Sequence, residues 1–502
     1  MTQHIAFSDL LYRTLAGAAF ALSAHTATAE PNGQEIYADL CAACHAESRL
    51  GGTGPALIPE ALARLRGGSL TDLIANGRVA TQMPAFHDTL SEAEIAAVAA
   101  YIKTDLPDIP RWTAQEIEET RSLSPEYTPV TAPAFDADPM NITLVVETGD
   151  HHVSVLDGDT FEVLDRFATP FAVHGGPKFS PDGHYVYVMS RDGWVQKYDI
   201  WALEEVGRVR AGVNSRNIAM SSDGLWLAVA NYLPHTLTIL STDDLSVAQV
   251  IPIEAKGGQS SRVAAVYQAP QRDSFILSLK DAAEIWEIST RTETRFTPRR
   301  ISVSAPLDDF FFTPDYSHLI GANREAETGV VVGLESGTEE ADLPLPGMPH
   351  LGSGISFISG GKRVMATPHL SEGLLSVIDM DNWTILKEIE TAGPGFFLRS
   401  HENTPYLWAD VFFGPNKDKL HIIDKESLEI IRTLSPAPGK TVAHIEFTRD
   451  GRYALVSIWE EDGAVIVYDA ATLEEVTRLP MKKPSGKYNV WNKITFSDGT
   501  SH

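Results

Sequence analysis

Cys41-Ala42-Ala43-Cys44-His45 places two thiols three positions apart and an imidazole directly after the second. This is the set that covalent attachment of a c-type heme requires. Each Cys forms a thioether to one heme vinyl, and the next residue brings its imidazole to the iron. These are the only two cysteines in 502 residues, so the rest of the chain has no disulfide and must hold together by packing.

The motif is followed by Gly54-Pro55-Ala56-Leu57, then Met83-Pro84-Ala85-Phe86, then a helical pattern from Leu90 to Ile102. That order resembles small class I cytochromes c. The resemblance implies a compact all-α domain over 30–105 with Cys41 and Cys44 bonded to heme c and His45 and Met83 as its axial ligands. His/Met ligation raises the reduction potential and leaves no open position on the iron, so such a heme carries electrons.

The first 29 residues read as a secretory signal. Arg13 precedes a short apolar run, Leu15 to Ala24, and Ala27-Thr28-Ala29 offers small residues before Glu30. The run is too short to span a bilayer, and no later stretch is long enough. A soluble, exported protein is expected, and the periplasm fits heme attachment outside the cytoplasm. A net charge of −27 argues against a nucleic-acid partner.

Turn signals recur near Asp138, Asp182, Asp223, Gln271, Asp315, Gly360, Asn403 and Asp450, at spacings of 41 to 48 residues. Most precede a β-rich run such as Tyr185–Met189 or Tyr453–Ser457. Three to four short strands per unit at this period indicate propeller blades. The fold class expected is therefore α + β multidomain: a small all-α cytochrome c domain followed by an eight-bladed β-propeller. A Pro-rich linker is expected over 106–138 and the propeller over 139–502. The tail Lys487 to Phe496 is expected to pair near Ile142 to Val146 and close the ring.

Local strings through the propeller, among them Phe171-Ala172-Val173-His174, Ser190–Val195, Met348-Pro349-His350 and Pro484–Val490, resemble cytochrome cd1 nitrite reductases. The resemblance implies a central channel for heme d1, with His174 matching its proximal ligand. Arg191, Arg216 and Arg262 match positions near the macrocycle carboxylates, and Lys178 stands near another Arg. Arg forks suit carboxylates. The three arginines are expected at comparable places in their blades, on one face of the ring. Tyr232 and Trp459 are expected to pack against the ring or hydrogen-bond to it.

The departures matter as much. Of the two distal histidines that protonate nitrite in that family, one matches His350, while the other falls at Leu307-Asp308-Asp309. This looks more like the paralogous dihydro-heme d1 dehydrogenases. That resemblance implies oxidation of a propionate on dihydro-heme d1 to an acrylate, with electrons passed to heme c. His350 is then the sixth ligand of the substrate iron. His444, on the inner strand of the last blade, is the expected general base, since imidazole titrates near working pH. Expected partners are the dihydro-heme d1 substrate and, transiently, a cytochrome cd1 nitrite reductase and a small periplasmic electron acceptor. A heme d1 carrier for nitrite reductase, and a true nitrite reductase, stay open as alternatives.

Overall fold

The computed structural model describes residues 30–501 apart from 53, 63–68, 78–82, 174–175 and 324–327. Seven of the eight turn markers sit at one topological position, between the innermost strand of a blade and its neighbour. The eighth, Asp138, leads into the first blade. The chemistry of these turns is repetitive. Asp182, Asp223 and Asp450 each accept a hydrogen bond from a Ser or Thr hydroxyl two residues earlier, at 2.5, 2.5 and 2.8 Å. The glycine after each of them has φ +72°, a left-handed conformation that costs Gly little.

Eight antiparallel sheets result, each with at least four strands. Because the middle strands of each blade are buried on both faces, as in Trp194–Asp199 and Ser274–Leu279, they need a neighbouring sheet on either side. The hydrophobic core accordingly lies between blades: eight clusters each join one sheet to the next. The ring closes where Pro484–Asn489 forms the inner strand of the first blade, Thr143 facing Asn489. The expected tail strand is shorter than anticipated. Asn489 ends it by capping the helix Val490–Thr495, its side chain accepting from the Asn492 N–H. That helix and the residues after it close one end of the channel, beside a cavity of about 420 Å³ lined by Phe179, Phe311, Phe312, Lys493 and Phe496.

The segment expected as a Pro-rich linker is not extended. Thr113 and Glu116 form a capping box that starts the helix Ala114–Thr120, and Ile117 on it is fully buried. Ser122–Leu123 then adds a fifth strand to the second blade. Burial of Ile117 and the indole of Trp112 outweighs the Pro-rich composition.

The cytochrome domain packs its first helix, Gly33–Leu40, across its last, Glu92–Tyr101. Arg210 of the second blade joins the domains. It is 3% exposed, and its guanidinium donates to the carbonyls of Leu50 (2.7 Å) and Asp192 (2.8 Å). Ala56 and Ile58, after the heme motif, form one apolar cluster with Val213 and Leu233 of the third blade.

Candidate active site

At the cytochrome end, Cys41 is half-buried and Cys44 exposed. His45 ends the short helix Ala42–His45 and is buried. Its Nδ1 lies 2.7 Å from the Pro55 carbonyl. A carbonyl can only accept, so Nδ1 carries the proton and the Nε2 lone pair is left for a metal. Gly54 makes this possible, because a Cβ there would lie 2.6 Å from the imidazole Cε1. Met83 packs at the edge of the cytochrome core. Two thiols, a lone-pair imidazole and a thioether fit a covalently bound c-type heme.

The propeller channel has a rim and a deeper part. At the rim, Arg191 follows the second strand of its blade, Arg216 lies within an inner strand, and Arg262 immediately precedes one. The expectation of comparable places is therefore corrected. The blades use different structural positions, although all three are near the end where inner strands begin. Arg262 is engaged by Asp281, with Nε at 3.0 Å and Nη2 at 2.5 Å from its carboxylate, and covers the Tyr232 ring at 5.4 Å. Arg216 donates to the Ala264 carbonyl at 3.1 Å. Its guanidinium is held protonated, against the cost of burial, by the Tyr232 ring hydroxyl and the carboxylates of Asp309 and Asp308. Trp459 donates to Thr148 and leans on Phe412, 5.4 Å between ring centres. His174 lies outside the described residues.

His350 begins the turn before the inner strand of the sixth blade. Its Nδ1 is 2.9 Å from the Phe396 carbonyl. With Nδ1 as the donor, a neutral ring has its lone pair on Nε2, and Nε2 lies 4.0 Å from Asp309 Oδ2. Asp309 stands where the second distal histidine of the nitrite reductases was expected to be missing. It is 1% exposed and accepts from Tyr267 Oη and the Gly352 N–H.

His444 is reversed. Its φ of +49° and a register shift between Ala443 and Ile445 make a β-bulge that re-aims the side chain. The backbone N–H so released donates to Asp410 Oδ2 at 3.1 Å. The ring lies against Phe397 and Tyr488, with centres 4.6 and 5.4 Å away. The Lys487 N–H points at Nδ1 from 3.3 Å, so Nδ1 accepts and the proton sits on Nε2. In its resting state His444 is thus a donor at its free nitrogen, and the expectation of a ready base needs that correction. Burial, then the positive charges of Lys487, Arg399 and Lys493, push its pKa well down and keep the ring neutral.

Around it lies a group that sequence reading did not assemble. Lys487 is fully buried, its Nζ donating to the His444 carbonyl (2.8 Å) and Ser457 Oγ (2.5 Å). Arg399 is 3% exposed and its Nε has no partner among the described residues. Burial pushes Lys178 down to about 8 and raises Asp410 to about 6 and the Tyr488 phenol to about 12. The one signal available was a charged residue ending an otherwise apolar strand, as Asp410 does in Tyr406–Asp410. Buried cations beside a neutral imidazole suit a polyanionic ligand with a reacting group near its edge.

No helix among the described residues is long and apolar enough to cross a membrane. Residues 137–493 match the Cytochrome D1 heme domain family, and residues 28–102 match the family described as Cytochrome C oxidase, cbb3-type, subunit III. The chain is 52% identical to a dihydro-heme d1 dehydrogenase of Pseudomonas aeruginosa, over 96% of this chain and 98% of that protein. It is also 31% identical to Protein NirF of the same organism, over 69% of this chain and 90% of the relative. A solved structure of a dihydro-heme d1 dehydrogenase in complex with DHE superposes with a TM-score of 0.90 at 52% identity, covering 92% of this chain and 99% of the other. With a cytochrome c domain preceding a Cytochrome D1 heme domain and a relative this similar over nearly its whole length, the chain belongs to the dihydro-heme d1 dehydrogenase family.

Proposed function

We propose that this protein converts dihydro-heme d1 to heme d1 by removing two hydrogens from a propionate side chain. The reaction releases two protons and two electrons and leaves an acrylate. The observation that carries the reading is the protonation pattern of the channel histidines. His350 is held through Nδ1 as donor, so as a neutral ring its lone pair is on Nε2, whereas His444 accepts at Nδ1 and has its N–H on Nε2. A lone pair suits an iron ligand, and an N–H suits a carboxylate.

In this reading His174 and His350 hold the substrate iron from its two faces. Bis-His ligation denies the metal to nitrite and leaves the periphery to react. Arg191, Arg216, Arg262 and Lys178 bind the carboxylates, with Tyr232 and Trp459 packing on the ring. His444 first donates Nε2–H to the reacting propionate. It becomes a base once the long contact from the Lys487 N–H opens and the other tautomer forms, at a cost of about 1–3 kcal/mol for the buried donor left without its acceptor. The surrounding cations stabilise negative charge as the C–H proton departs. The heme c held by Cys41, Cys44, His45 and Met83 supplies one-electron acceptance when bound. The electrons then pass to a small periplasmic acceptor protein, and the product passes to a cytochrome cd1 nitrite reductase by transient contact. Residues 1–29 direct the chain to the periplasm.

The test is to mix the holoprotein with dihydro-heme d1 and a one-electron acceptor, and to follow macrocycle mass and heme c absorbance. Loss of two mass units with heme c reduction is the expected result, and His444→Ala should bind without oxidising. Binding with no mass change in the native protein leaves only a carrier. Sustained nitric oxide formation from nitrite would replace the assignment altogether.

A further inference from the structure

Two histidines with opposite protonation patterns share one anchor. Asp410 ends the second strand of the seventh blade and is 1% exposed. Its Oδ1 accepts from the backbone N–H groups of Phe396 (2.8 Å) and Phe397 (3.0 Å). Its Oδ2 accepts from the N–H of His444 at 3.1 Å. The carbonyl of Phe396 is the group that fixes His350 Nδ1 at 2.9 Å. Phe396 also packs tilted against the His350 ring, with centres 4.4 Å apart, and Phe397 packs edge-on against the His444 ring at 4.6 Å.

We infer that Asp410 is a positioning residue that aims His350 and His444 together at one substrate, through its two carboxylate oxygens. It rests on the reading of those histidines given above, and it goes further by naming what couples them. A bulge and a turn from different blades have no reason to agree on a common target. A single carboxylate with three N–H donors makes them agree, because neither arm moves without straining the other. Burying an ionised carboxylate is costly, and full satisfaction by N–H groups is the condition under which it is tolerated.

The two oxygens allow the arms to be separated. Asp410→Asn retains an oxygen for the Phe396 and Phe397 donors, so the amide NH₂ must face the His444 N–H. The opposite orientation sets NH₂ against two donors and is disfavoured. Asp410→Asn should therefore keep the two-nitrogen, low-spin signature of bound dihydro-heme d1, while oxidation slows by roughly ten- to a hundredfold, the loss of one charge-assisted hydrogen bond. Asp410→Ala frees both arms and should also shift the bound macrocycle toward a five-coordinate signature. Binding, melting temperature and circular dichroism establish that each variant is folded, and Asp410→Asn alone suffices if Asp410→Ala is not.

Wild-type oxidation rates in Asp410→Asn would overturn the proposal. So would an unchanged signature in Asp410→Ala where His350→Ala changes it. If His350→Ala itself leaves the signature unchanged, the ligand reading of His350 fails first, and the His350 arm falls with it.

Discussion

Lys178 lies on the short inner strand of the second blade, and Lys493 of the helix that closes the channel senses its charge. Burial alone lowers its pKa from 10.5 to about 8. Carrying the ammonium in the empty channel therefore costs roughly 3 kcal/mol. The sign follows from a folded pKa below the unfolded one: the penalty is complete below about pH 8 and vanishes as the pH rises toward 10.5. A carboxylate of the macrocycle supplies the missing counter-charge and restores the amine's affinity for its proton. Binding must then take up a proton wherever the free amine has lost one. With a pKa of about 8, the amine is roughly nine-tenths charged at pH 7 and about one-tenth at pH 9. Affinity for dihydro-heme d1 should fall about tenfold between them, ~1.4 kcal/mol. Absorbance titrations at pH 7 and 9 measure this. Lys178→Met should bind more weakly and show no such slope, and Lys178→Arg should be flat because guanidinium does not titrate in this range. A tenfold fall that survives in Lys178→Met would move the effect to Lys487 or Lys493, whose pKa values burial also lowers, and would refute the argument.

Arg210→Ala removes the donors to the Leu50 and Gly51 carbonyls of the cytochrome domain and should weaken domain docking by about 1.5–3 kcal/mol. Calorimetry should then show the cytochrome domain melting separately, with faster amide exchange over 49–57; one transition at the wild-type midpoint would count against the clamp. Gly54→Ala puts a methyl 2.6 Å from His45 Cε1, so heme c content should fall or its potential shift, and normal incorporation at an unchanged potential would show that the loop gives way. Lys487→Met strips a cation that lowers the His444 pKa. The acid limb of the oxidation rate should move to higher pH, and an unmoved limb would mean that another group sets it.

What the sequence reveals and what it hides follow from the range of the forces involved. Cys41 to His45 is legible because thioether attachment is local, and the blade count is legible because turn residues are local too, most plainly the Asp and Gly pairs at Asp182, Asp223 and Asp450. The docked segment around Trp112 is not, since its indole donates to the carbonyl of Arg210, 98 residues away. Nor is the pairing of Arg262, because Asp281 lies 19 residues on, at the far end of a hairpin. His444 shows the limit most clearly. Residue type and strand place it in the channel, yet its bulge depends on Asp410, 34 residues earlier, and its tautomer on Lys487, 43 residues later. A histidine's address can be read from one strand. Whether His444 gives or takes a proton is decided by the two neighbouring blades, so its functional difference from His350 exists only once the ring has closed and Pro484–Asn489 lies beside His444.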